Sequence, residues 1–506
     1  MKRLIALLTA ALLLLSIPAA IAESKYDKHV TYTGNTVHSL LAPGDDYHDA
    51  LYDYIKDLFN FDFDLWYVEY GNINEKCNTW INTGSMPDGC FNRGFNYSTY
   101  LEWIDQGLIA PLPDGWETAY PNLHKMVSVS GILDYITVDG KVYTIPHAVF
   151  GNFNKAEHFT SHRSIYYRKD WLKELGMEDF GSSVTFDQLG EYIRLAKEKD
   201  LAGNGNTRGL IGSQSEIVEV FAYQTGRRYS SFERTDHGYE WGAFAPGLTD
   251  IIAILRDWYQ TGLIDSDFYL TSKQDGFALF NTGLTAACYY DGSVEQIMNS
   301  WKAFEAANPG KIGKECIGAT VLAGNDGIPH RPETTNYWTV TYFNPEINAD
   351  VFDRILAVMD WLCDPTSGQI ISRMGLENVD WKWVGENKIE RLTDTNYISS
   401  YLYGMYGYCT DDVGLIRPDY DPDATAMVLA NYAASEPGMI PNNFDYSFFS
   451  SESKANYSVS FSEPIVNLMV NATLDIPTEW QKFIDTNEAM WKPVVEDLNA
   501  YYNIQP

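Results

Sequence analysis

Along the first hundred residues of the chain, segments in which hydrophobic positions recur with a period of two alternate with segments in which they recur every three or four residues. Short runs with a period of two, typical of strands, occupy 29–33, 61–67 and 87–91. Longer runs with apolar residues three or four apart, typical of helices, occupy 46–59, 74–82 and 98–106. Because strands that alternate with helices form a parallel sheet with helices on its faces, the pattern predicts an α/β fold.

The alternation continues to about residue 362. An Asp-Gly pair at 139–140 predicts the tight turn of a hairpin over 135–144. A Thr-x-x-Gln capping box at 185–188 opens a helix that reaches about residue 199. Further predicted strands are 164–167 and 284–290, and further predicted helices are 246–261 and 351–362. No repeat or polar linker interrupts the chain, which favours lobes that exchange strands over domains joined end to end.

The first 22 residues have the three parts of a secretory signal peptide. Lys2 and Arg3 give a basic start, about a dozen apolar residues follow, and the small residues Ala20 and Ala22 end the segment. The apolar stretch is shorter than the ~20 residues that span a bilayer, so we favour a signal cleaved after Ala22 over a membrane anchor. No Cys lies near the cut to accept a lipid. We therefore predict an exported protein, extracellular or periplasmic.

The mature chain is strongly acidic. Removing the two basic residues of the signal peptide from the 36 in the whole chain leaves 34 against 68 acidic ones, which moves the net charge from −32 to −34. Such a chain repels phosphate backbones, so nucleic acid is not expected as a partner. We interpret the acidity as a source of solubility.

The six cysteines lie too far apart for a zinc or redox motif. The nearest two are thirteen residues apart, so no Cys-x-x-Cys pair occurs. Export permits disulfides, and the order along the chain allows three local pairs, but six buried thiols fit the sequence equally well. The cysteines are Cys77, Cys90, Cys288, Cys316, Cys363 and Cys409.

Motifs of the common hydrolases, metalloproteases and nucleotide-binding enzymes do not occur in the sequence. His158 and His162 are four apart, the spacing of a zinc pair on a helix. The residues between them are mediocre helix formers, and Phe159 stands where a metalloprotease needs its Glu. We therefore interpret this segment as a loop and predict no catalytic residue, no metal and no cofactor.

Two acidic segments carry part of a calcium-loop pattern. Residues 419–423 have alternating Asp, but the loop lacks Gly at its sixth position and has Ala430 where a Glu is needed. Asp200–Gly205 has the Gly but lacks a carboxylate at its third position. We interpret both segments as turns.

An enzyme is the alternative function. With 68 carboxylates a pair suited to glycoside hydrolysis is available by number, although no two of them stand out. Aromatic residues make up 14% of the chain and serve either a large core or the stacking of sugar rings. A secreted glycan-active hydrolase therefore stays open, and so does a ligand-sensing partner of a membrane receptor.

Several segments, taken in order, resemble the family-1 extracellular solute-binding proteins of ABC importers, the family that includes maltose-binding protein. The matching segments are 84–94 (a Gly-x-x-Pro-Asp turn and strand), 101–112 (a helix with a Gly-Leu-Ile ending), 139–146 (a hairpin), 165–176 (a strand and helix) and 257–290 (a helix pair and strand). Their order and spacing over 29–384 make the resemblance specific. The chain departs from the family at two points, since it has no lipobox Cys and carries Ala202 in place of an Asp in the family's calcium-like Asp-x-Asp-Gly-Asn-Gly loop.

The resemblance implies an α/β, two-lobed, periplasmic-binding-protein-like fold of type II, in which each lobe is a mainly parallel sheet flanked by helices. Lobe I would comprise 23–147 and 288–340, and lobe II would comprise 148–287 and 345–506. Three crossovers near Pro146, Ala286 and Asn344-Pro345 would form the hinge. The tail after about residue 385 is less familiar, and we predict no role for it.

The function implied by the resemblance is the capture of a small polar ligand, a sugar or oligosaccharide, by closure of two lobes. The partners would be this ligand and the transmembrane permease subunits of an ABC importer, with the protein itself a monomer. In such a fold the ligand lies at the carboxyl ends of the strands, where polar side chains bind hydroxyls and aromatic rings stack on the sugar. The predicted ligand-binding residues are Asn35, Asn92, Arg93, Tyr223, Trp241, Tyr290, Asp291, Trp338 and Trp383.

Overall fold

The computed structural model describes residues 26–37, 50–149, 160–324, 326–364, 367–385, 388–393 and 420–504. The chain forms two compact units. Unit 1 comprises Met1–Phe95, Trp103–Ala148 and Tyr337–Cys409, and unit 2 comprises Asn96–Glu102, Val149–Asn336 and Thr410–Pro506. The predicted signal peptide (1–22), His158 and Asp419 lie outside the described residues.

Strands and helices alternate along both units. The strands are β1 (Val30–Thr36), β2 (Phe61–Tyr67), β3 (Gly89–Asn92), β4 (Thr137–Val138), β5 (Lys141–Val142), β6 (Ile145–His147), β7 (Arg163–Arg168), β8 (Ser183–Thr185), β9 (Arg208–Ile211), β10 (Phe232–Thr235), β11 (Gly238–Trp241), β12 (Thr285–Asp291), β13 (Ile317–Ala323), β14 (Arg331–Pro332), β15 (Thr339–Phe343), β16 (Trp381–Gly385), β17 (Lys388–Arg391) and β18 (Met439–Ile440). The helices are α1 (Ala50–Phe59), α2 (Ile73–Thr83), α3 (Tyr97–Asp105), α4 (Trp116–Ala119), α5 (Pro121–Val129), α6 (Leu133–Ile136), α7 (Lys169–Leu175), α8 (Phe186–Glu198), α9 (Gln214–Ala222), α10 (Leu248–Gln260), α11 (Lys273–Asn281), α12 (Val294–Ala307), α13 (Gly313–Cys316), α14 (Ala349–Cys363), α15 (Gly368–Met374), α16 (Pro422–Ser435), α17 (Phe444–Ser447), α18 (Glu452–Asn456), α19 (Ser462–Val470), α20 (Ile476–Thr486) and α21 (Glu488–Tyr501). None of the described helices is long and apolar enough to cross a membrane.

The local signals of the sequence fall where the structure has the matching elements. The side chain of Thr185 caps α8 by accepting a hydrogen bond from the backbone N–H of Gln188, and the Gln188 side chain accepts one from the backbone N–H of Thr185. The predicted capping box is therefore confirmed. Asp139 and Gly140 both have positive φ in the tight turn between β4 and β5. The hairpin is shorter than predicted, because its first residues belong to the helical turn α6.

The described strands of unit 1 form two small sheets and the two hairpins β4–β5 and β16–β17. β1 and β2 pair in parallel, with Val30 opposite Phe61 and Thr36 opposite Tyr67. β15 lies between β3 and β6 and runs antiparallel to both. α14 packs against β1 and α5 and buries Ile355 and Leu356 completely. This framework holds the end of β3, with Asn92, in a fixed place.

Unit 2 contains a five-stranded sheet in the order β8-β13-β7-β12-β9. β12 is parallel to β9 and β13 is parallel to β8, whereas the central β7 is antiparallel to both of its neighbours. The sheet is therefore mixed, which differs from the mainly parallel sheet that we expected. Alternation of strands and helices along the chain cannot reveal this, because it does not give the order of the strands in the sheet.

The C-terminal helices complete unit 2. α19 packs against α9 and α10, and α21 packs against β11. Their apolar faces enter one continuous core through Leu468, Trp480 and Val494. The part of the tail after 420 is therefore structural, since it covers one face of unit 2.

The division of the chain differs from the expected lobes in its later segments. β12 forms ladders with β7 and β9, so the chain stays in unit 2 past Ala286 and until Asn336. β15 then pairs with β3 and β6, so that the chain is in unit 1 at Thr339–Phe343. A buried strand has the same hydrophobic pattern in either lobe. Its sequence therefore does not show which lobe it joins, and only the strands that it pairs with do so.

Candidate functional site

A disulfide fixes β3, the strand that ends at the polar candidate Asn92. Cys77 of α2 is bonded to Cys90 of β3, one of the local pairs that the sequence had left open. Cys288, Cys316 and Cys363 are buried free thiols, and Cys409 lies outside the described residues. The bond anchors β3 to α2 two residues before Asn92.

The two asparagines are engaged with the protein itself. Asn35 is buried, its Oδ1 accepts from the backbone N–H of Phe91 at 2.7 Å, and its Nδ2 donates to the Phe91 carbonyl at 3.0 Å. It thereby links β1 to β3, and residues 34–36 form the end of β1, where they pair with 65–67 of β2. Asn92 is also buried, and its Oδ1 accepts from the backbone of Gly94 at 3.2 Å. Both positions shape the strand ends, and neither amide is left exposed.

Arg93, Tyr70 and Trp338 form a cluster that we call the unit 1 platform. The guanidinium carbon of Arg93 lies 3.7 Å from the centre of the Tyr70 ring, and its Nη1 donates to the Tyr70 carbonyl at 3.1 Å. The Tyr70 and Trp338 rings are 6.4 Å apart at 34°, and they are 42% and 36% exposed. Exposed aromatic faces beside a fixed guanidinium are suited to sugars, which offer an apolar C–H face and hydroxyls at the edge.

Trp383 lies elsewhere in unit 1, on the β16–β17 hairpin. Its ring meets Trp381 edge to face at 5.3 Å and is 45% exposed. No contact with a member of the unit 1 platform is among its described interactions. We therefore keep Trp338 and leave Trp383 out of the proposed site.

The end of β12 carries a group of charges that we call the unit 2 charged cluster, formed by His162, Arg163, Glu216, Lys273 and Asp291. Lys273 Nζ lies 2.8 Å from both carboxylate oxygens of Asp291 and 3.6 Å from Glu216. Arg163 forms an ion pair with Glu216, and His162 Nε2 lies 3.4 Å from Asp291. Four elements, β7, α9, α11 and β12, thus bring their charges together.

The two carboxylates of the cluster differ in access to solvent. The side chain of Glu216 is 6% exposed and that of Asp291 is 25% exposed. Burial raises the pKa of Asp291, but the hydrogen bond with His162 and the positive charge of Lys273 outweigh it and hold that pKa well below the ordinary 3.8. Asp291 is therefore an ionised acceptor in a fixed orientation at neutral pH, as hydroxyl recognition needs.

The two tyrosines of unit 2 differ in their surroundings. Tyr290 stacks on Phe277 with ring centres 3.9 Å apart, and Lys273 Nζ lies 5.0 Å from the Tyr290 ring. Tyr223 lines a small cavity together with Arg163, and its ring meets Tyr229 edge to face at 5.8 Å. Both tyrosines therefore adjoin the unit 2 charged cluster.

Trp241 belongs to the core of unit 2. Its side chain is 0% exposed, stacks on Trp491 at 5.7 Å and on Phe483 at 5.7 Å, and donates its Nε1–H to the Tyr457 hydroxyl at 2.7 Å. A ring enclosed in this way has no face left for a ligand. We leave Trp241 out of the proposed site for that reason.

Sequence reasoning missed most members of the unit 2 charged cluster. His162 was interpreted as a loop histidine, and Arg163, Glu216 and Lys273 were not considered. One signal was present, because Glu216 stands beside Ile217 and Val218 on a helix with a largely apolar face, where an acid needs a partner. Tyr70 gave no such signal, since it is an exposed residue in a short turn.

No group of three or more His, Cys, Asp or Glu placed to hold a metal occurs within the described ranges. His162 is directed at Asp291. Asp421 is the N-cap of α16, and Lys314 pairs with both Asp421 and Asp423. The described part of the acidic segment at 419–423 is thus a helix start held by an ion pair.

Solved structures of ABC-transporter substrate-binding proteins share the fold of this chain. FusA of Streptococcus pneumoniae in complex with kestose has a TM-score of 0.66 at 18% identity, and the match covers 94% of this chain and 99% of that one. An EF-hand mutant of FusA with fructo-nystose gives the same values. The alginate-binding protein AlgQ2, in a structure without calcium ion, has a TM-score of 0.66 at 16% identity and covers 95% of this chain and 99% of its own. The chain therefore has the two-lobed fold of the ABC-transporter substrate-binding proteins.

A curated relative matches part of the sequence. The fructooligosaccharide ABC transporter substrate-binding protein FusA of Streptococcus pneumoniae is 28% identical over 142 residues. The match spans 28% of this chain and 26% of the relative. No family model matches the chain.

Proposed function

We propose that this protein is the exported solute-binding protein of an ABC importer and that its ligand is an oligosaccharide. The unit 1 platform is the observation that carries the proposal, because it offers two exposed rings and a fixed guanidinium side by side. The unit 2 charged cluster adds an ionised, oriented acceptor at Asp291. Closure of the two lobes on the ligand and delivery to permease subunits are part of this proposal.

The names of similar proteins support the same ligand class. FusA was solved with kestose and fructo-nystose, AlgQ2 is an alginate-binding protein, and a solute-binding protein of Bifidobacterium longum infantis described as HMO-binding has a TM-score of 0.65. Each of these ligands presents rings and many hydroxyls, which suits aromatic platforms and oriented carboxylates.

Hydrolysis is the second candidate function. The reason to test it is a pair of carboxyl groups in unit 2 whose pKa values shift in opposite directions. Burial raises the pKa of Glu219, while the surroundings of Asp291 lower its pKa. Two carboxyl groups with pKa values moved apart are typical of glycosidases. We propose a protein without catalytic activity, since Lys273 and His162 hold the Asp291 carboxylate ionised and oriented, as suits a group that binds a ligand.

A thermal-shift screen of the mature protein (from Glu23) against oligosaccharides tests the function. We expect one oligosaccharide class to raise the melting temperature by several degrees, because a ligand at a hundredfold excess over its Kd adds about 2.7 kcal/mol to the free energy of unfolding. Recovery of the sugar unchanged, checked by chromatography, separates binding from cleavage. No shift with any glycan would reject the sugar proposal, and a cleaved product would establish the hydrolase.

Trp338→Ala should weaken oligosaccharide binding about 10- to 100-fold, since one stacked ring is worth roughly 1–3 kcal/mol. The melting temperature should fall by a few degrees at most, because 36% of the side chain is already exposed to solvent. Trp383→Ala is the matched control, since Trp383 belongs to the same unit, is 45% exposed and lies on the β16–β17 hairpin. Isothermal titration calorimetry gives both Kd values. Equal losses in the two variants would place the sugar on a surface other than the unit 1 platform.

A further inference from the structure

The turn between α8 and β9 has part of the sequence pattern of a calcium loop but does not have the ligands of one. Relatives of the same fold were solved as an EF-hand mutant and without calcium ion, so the fold implies a calcium loop. In this chain the segment begins with Asp200 and contains Asn204 and Gly205, as such a loop does. Whether a calcium ion suits this loop depends on the residues at its remaining ligand positions.

Those remaining positions do not fit calcium. A calcium loop of twelve residues takes oxygen ligands from positions 1, 3, 5, 7, 9 and 12, with a bidentate Glu at the last. Counted from Asp200, the third position is Ala202, the ninth is Arg208 and the twelfth is Ile211. Ala202 has no oxygen in its side chain, and Ile211 is completely buried in β9. Arg208 carries a positive charge where a calcium loop would have a ligand.

The loop is closed by its own hydrogen bonds. The carboxylate of Asp200 accepts from the backbone N–H of Gly205 at 2.6 Å and from the hydroxyl of Thr207 at 2.9 Å. The same hydroxyl accepts from the backbone N–H of Ala202 at 2.9 Å. The first carboxylate of the loop therefore already has donors that hold the turn in shape.

Arg208 ties the loop to the segment that follows α10. Its Nε and Nη2 donate to the two carboxylate oxygens of Asp265 at 2.5 and 2.6 Å, and its Nη2 also donates to Asp267 at 2.9 Å. The side chain of Asp265 is 5% exposed, so its charge needs a close partner. Backbone bonds from Leu210 to Leu263 and from Asp265 to Leu210 continue the same connection.

We infer that this loop binds no metal and that the guanidinium of Arg208 takes the place of a divalent cation beside Asp265 and Asp267. It neutralises Asp265 and Asp267 and fixes the loop to 263–267 by a two-pronged hydrogen bond. The chain would then keep its fold and its ligand affinity in the absence of calcium. This inference does not depend on which ligand the protein binds.

Calcium titration tests the first half of the inference. We expect the melting temperature of EDTA-treated protein to stay within about 1 °C when millimolar CaCl2 is added, whereas a filled site would raise it by several degrees. Asp200→Asn locates any effect that appears. A calcium shift in the wild type that is lost in Asp200→Asn would overturn the inference, whereas an equal shift in both proteins places the ion outside the loop and supports it.

A double-mutant cycle tests the second half. Arg208→Met should lower the melting temperature by roughly 5 °C or more, because it removes the cation that neutralises the buried Asp265, and adding Asp265→Asn should recover much of that loss. Arg208→Lys keeps the charge but not the fork, and should lie in between. Arg194→Gln is the control, since Arg194 also pairs with two acids, Glu191 and Glu198, but on the exposed face of α8. A loss in Arg208→Met no larger than in Arg194→Gln, or a double mutant that recovers nothing, would refute the role of Arg208.

Discussion

Replacing Trp241 by alanine should lower the melting temperature of unit 2 by roughly 10 °C, since removing a fully buried Trp costs about 3–5 kcal/mol of folding free energy. The side chain is 0% exposed and contacts Phe461, Phe483 and Trp491. It also donates a hydrogen bond to Tyr457, which truncation leaves without its donor. Circular dichroism during heating gives the change directly.

The same substitution separates a core residue from a ligand-binding one. Trp241→Phe keeps most of the packing and should lose about half as much stability as Trp241→Ala. Below the melting transition, both variants should bind the oligosaccharide with a Kd within about twofold of the wild type. Unchanged melting together with a large loss of affinity would contradict this and return Trp241 to the binding site.

The local elements could be predicted from the sequence because their signals are local. Helical spacing of Leu51 and Ile55 marks α1, and the capping box at Thr185 marks the start of α8. The Asp-Gly turn at 139–140 likewise depends on the φ angles of two adjacent residues. Each of these signals is complete within a few residues, so no knowledge of the tertiary structure is needed to recognise it.

Partners distant in sequence could not be predicted. Trp241 and Trp338 are both aromatic residues at strand ends, and only the packing of α20 and α21 buries the first. Asn35 is predicted as a ligand-binding residue, but its amide bonds to the Phe91 backbone of β3. The missing information in each case is a contact between residues more than fifty positions apart.

Asp291 shows how a site can be predicted in part. The sequence places it at the carboxyl end of a buried strand, which made it a candidate. The contacts that orient its carboxylate, however, come from Lys273, His162 and Arg163, which lie outside β12. A strand end predicts the position of a polar group, whereas its charge environment needs the fold.

Asp291→Asn should weaken oligosaccharide binding by about 10- to 100-fold, because a hydrogen bond to a charged acceptor is worth roughly 1.5–3 kcal/mol. The amide keeps the shape of the side chain but removes the charge that Lys273 and Arg163 face. The melting temperature should also fall by a few degrees, since those cations lose their counter-ion. Calorimetric titration and thermal unfolding measure the two effects separately.

The effect of pH on this variant provides a further check. Asp291 has a lowered pKa in the folded protein, so its contribution to stability is present above the unfolded value of 3.8 and is lost as pH falls through the folded value. The difference in melting temperature between wild type and Asp291→Asn should therefore persist at pH 5 and above and shrink below about pH 4. Asp326→Asn is the control, because Asp326 also bonds to a histidine, His330, at 2.7 Å but on an exposed turn. If Asp326→Asn weakens binding as much as Asp291→Asn does, the overall negative charge of the protein governs binding, and not the unit 2 charged cluster.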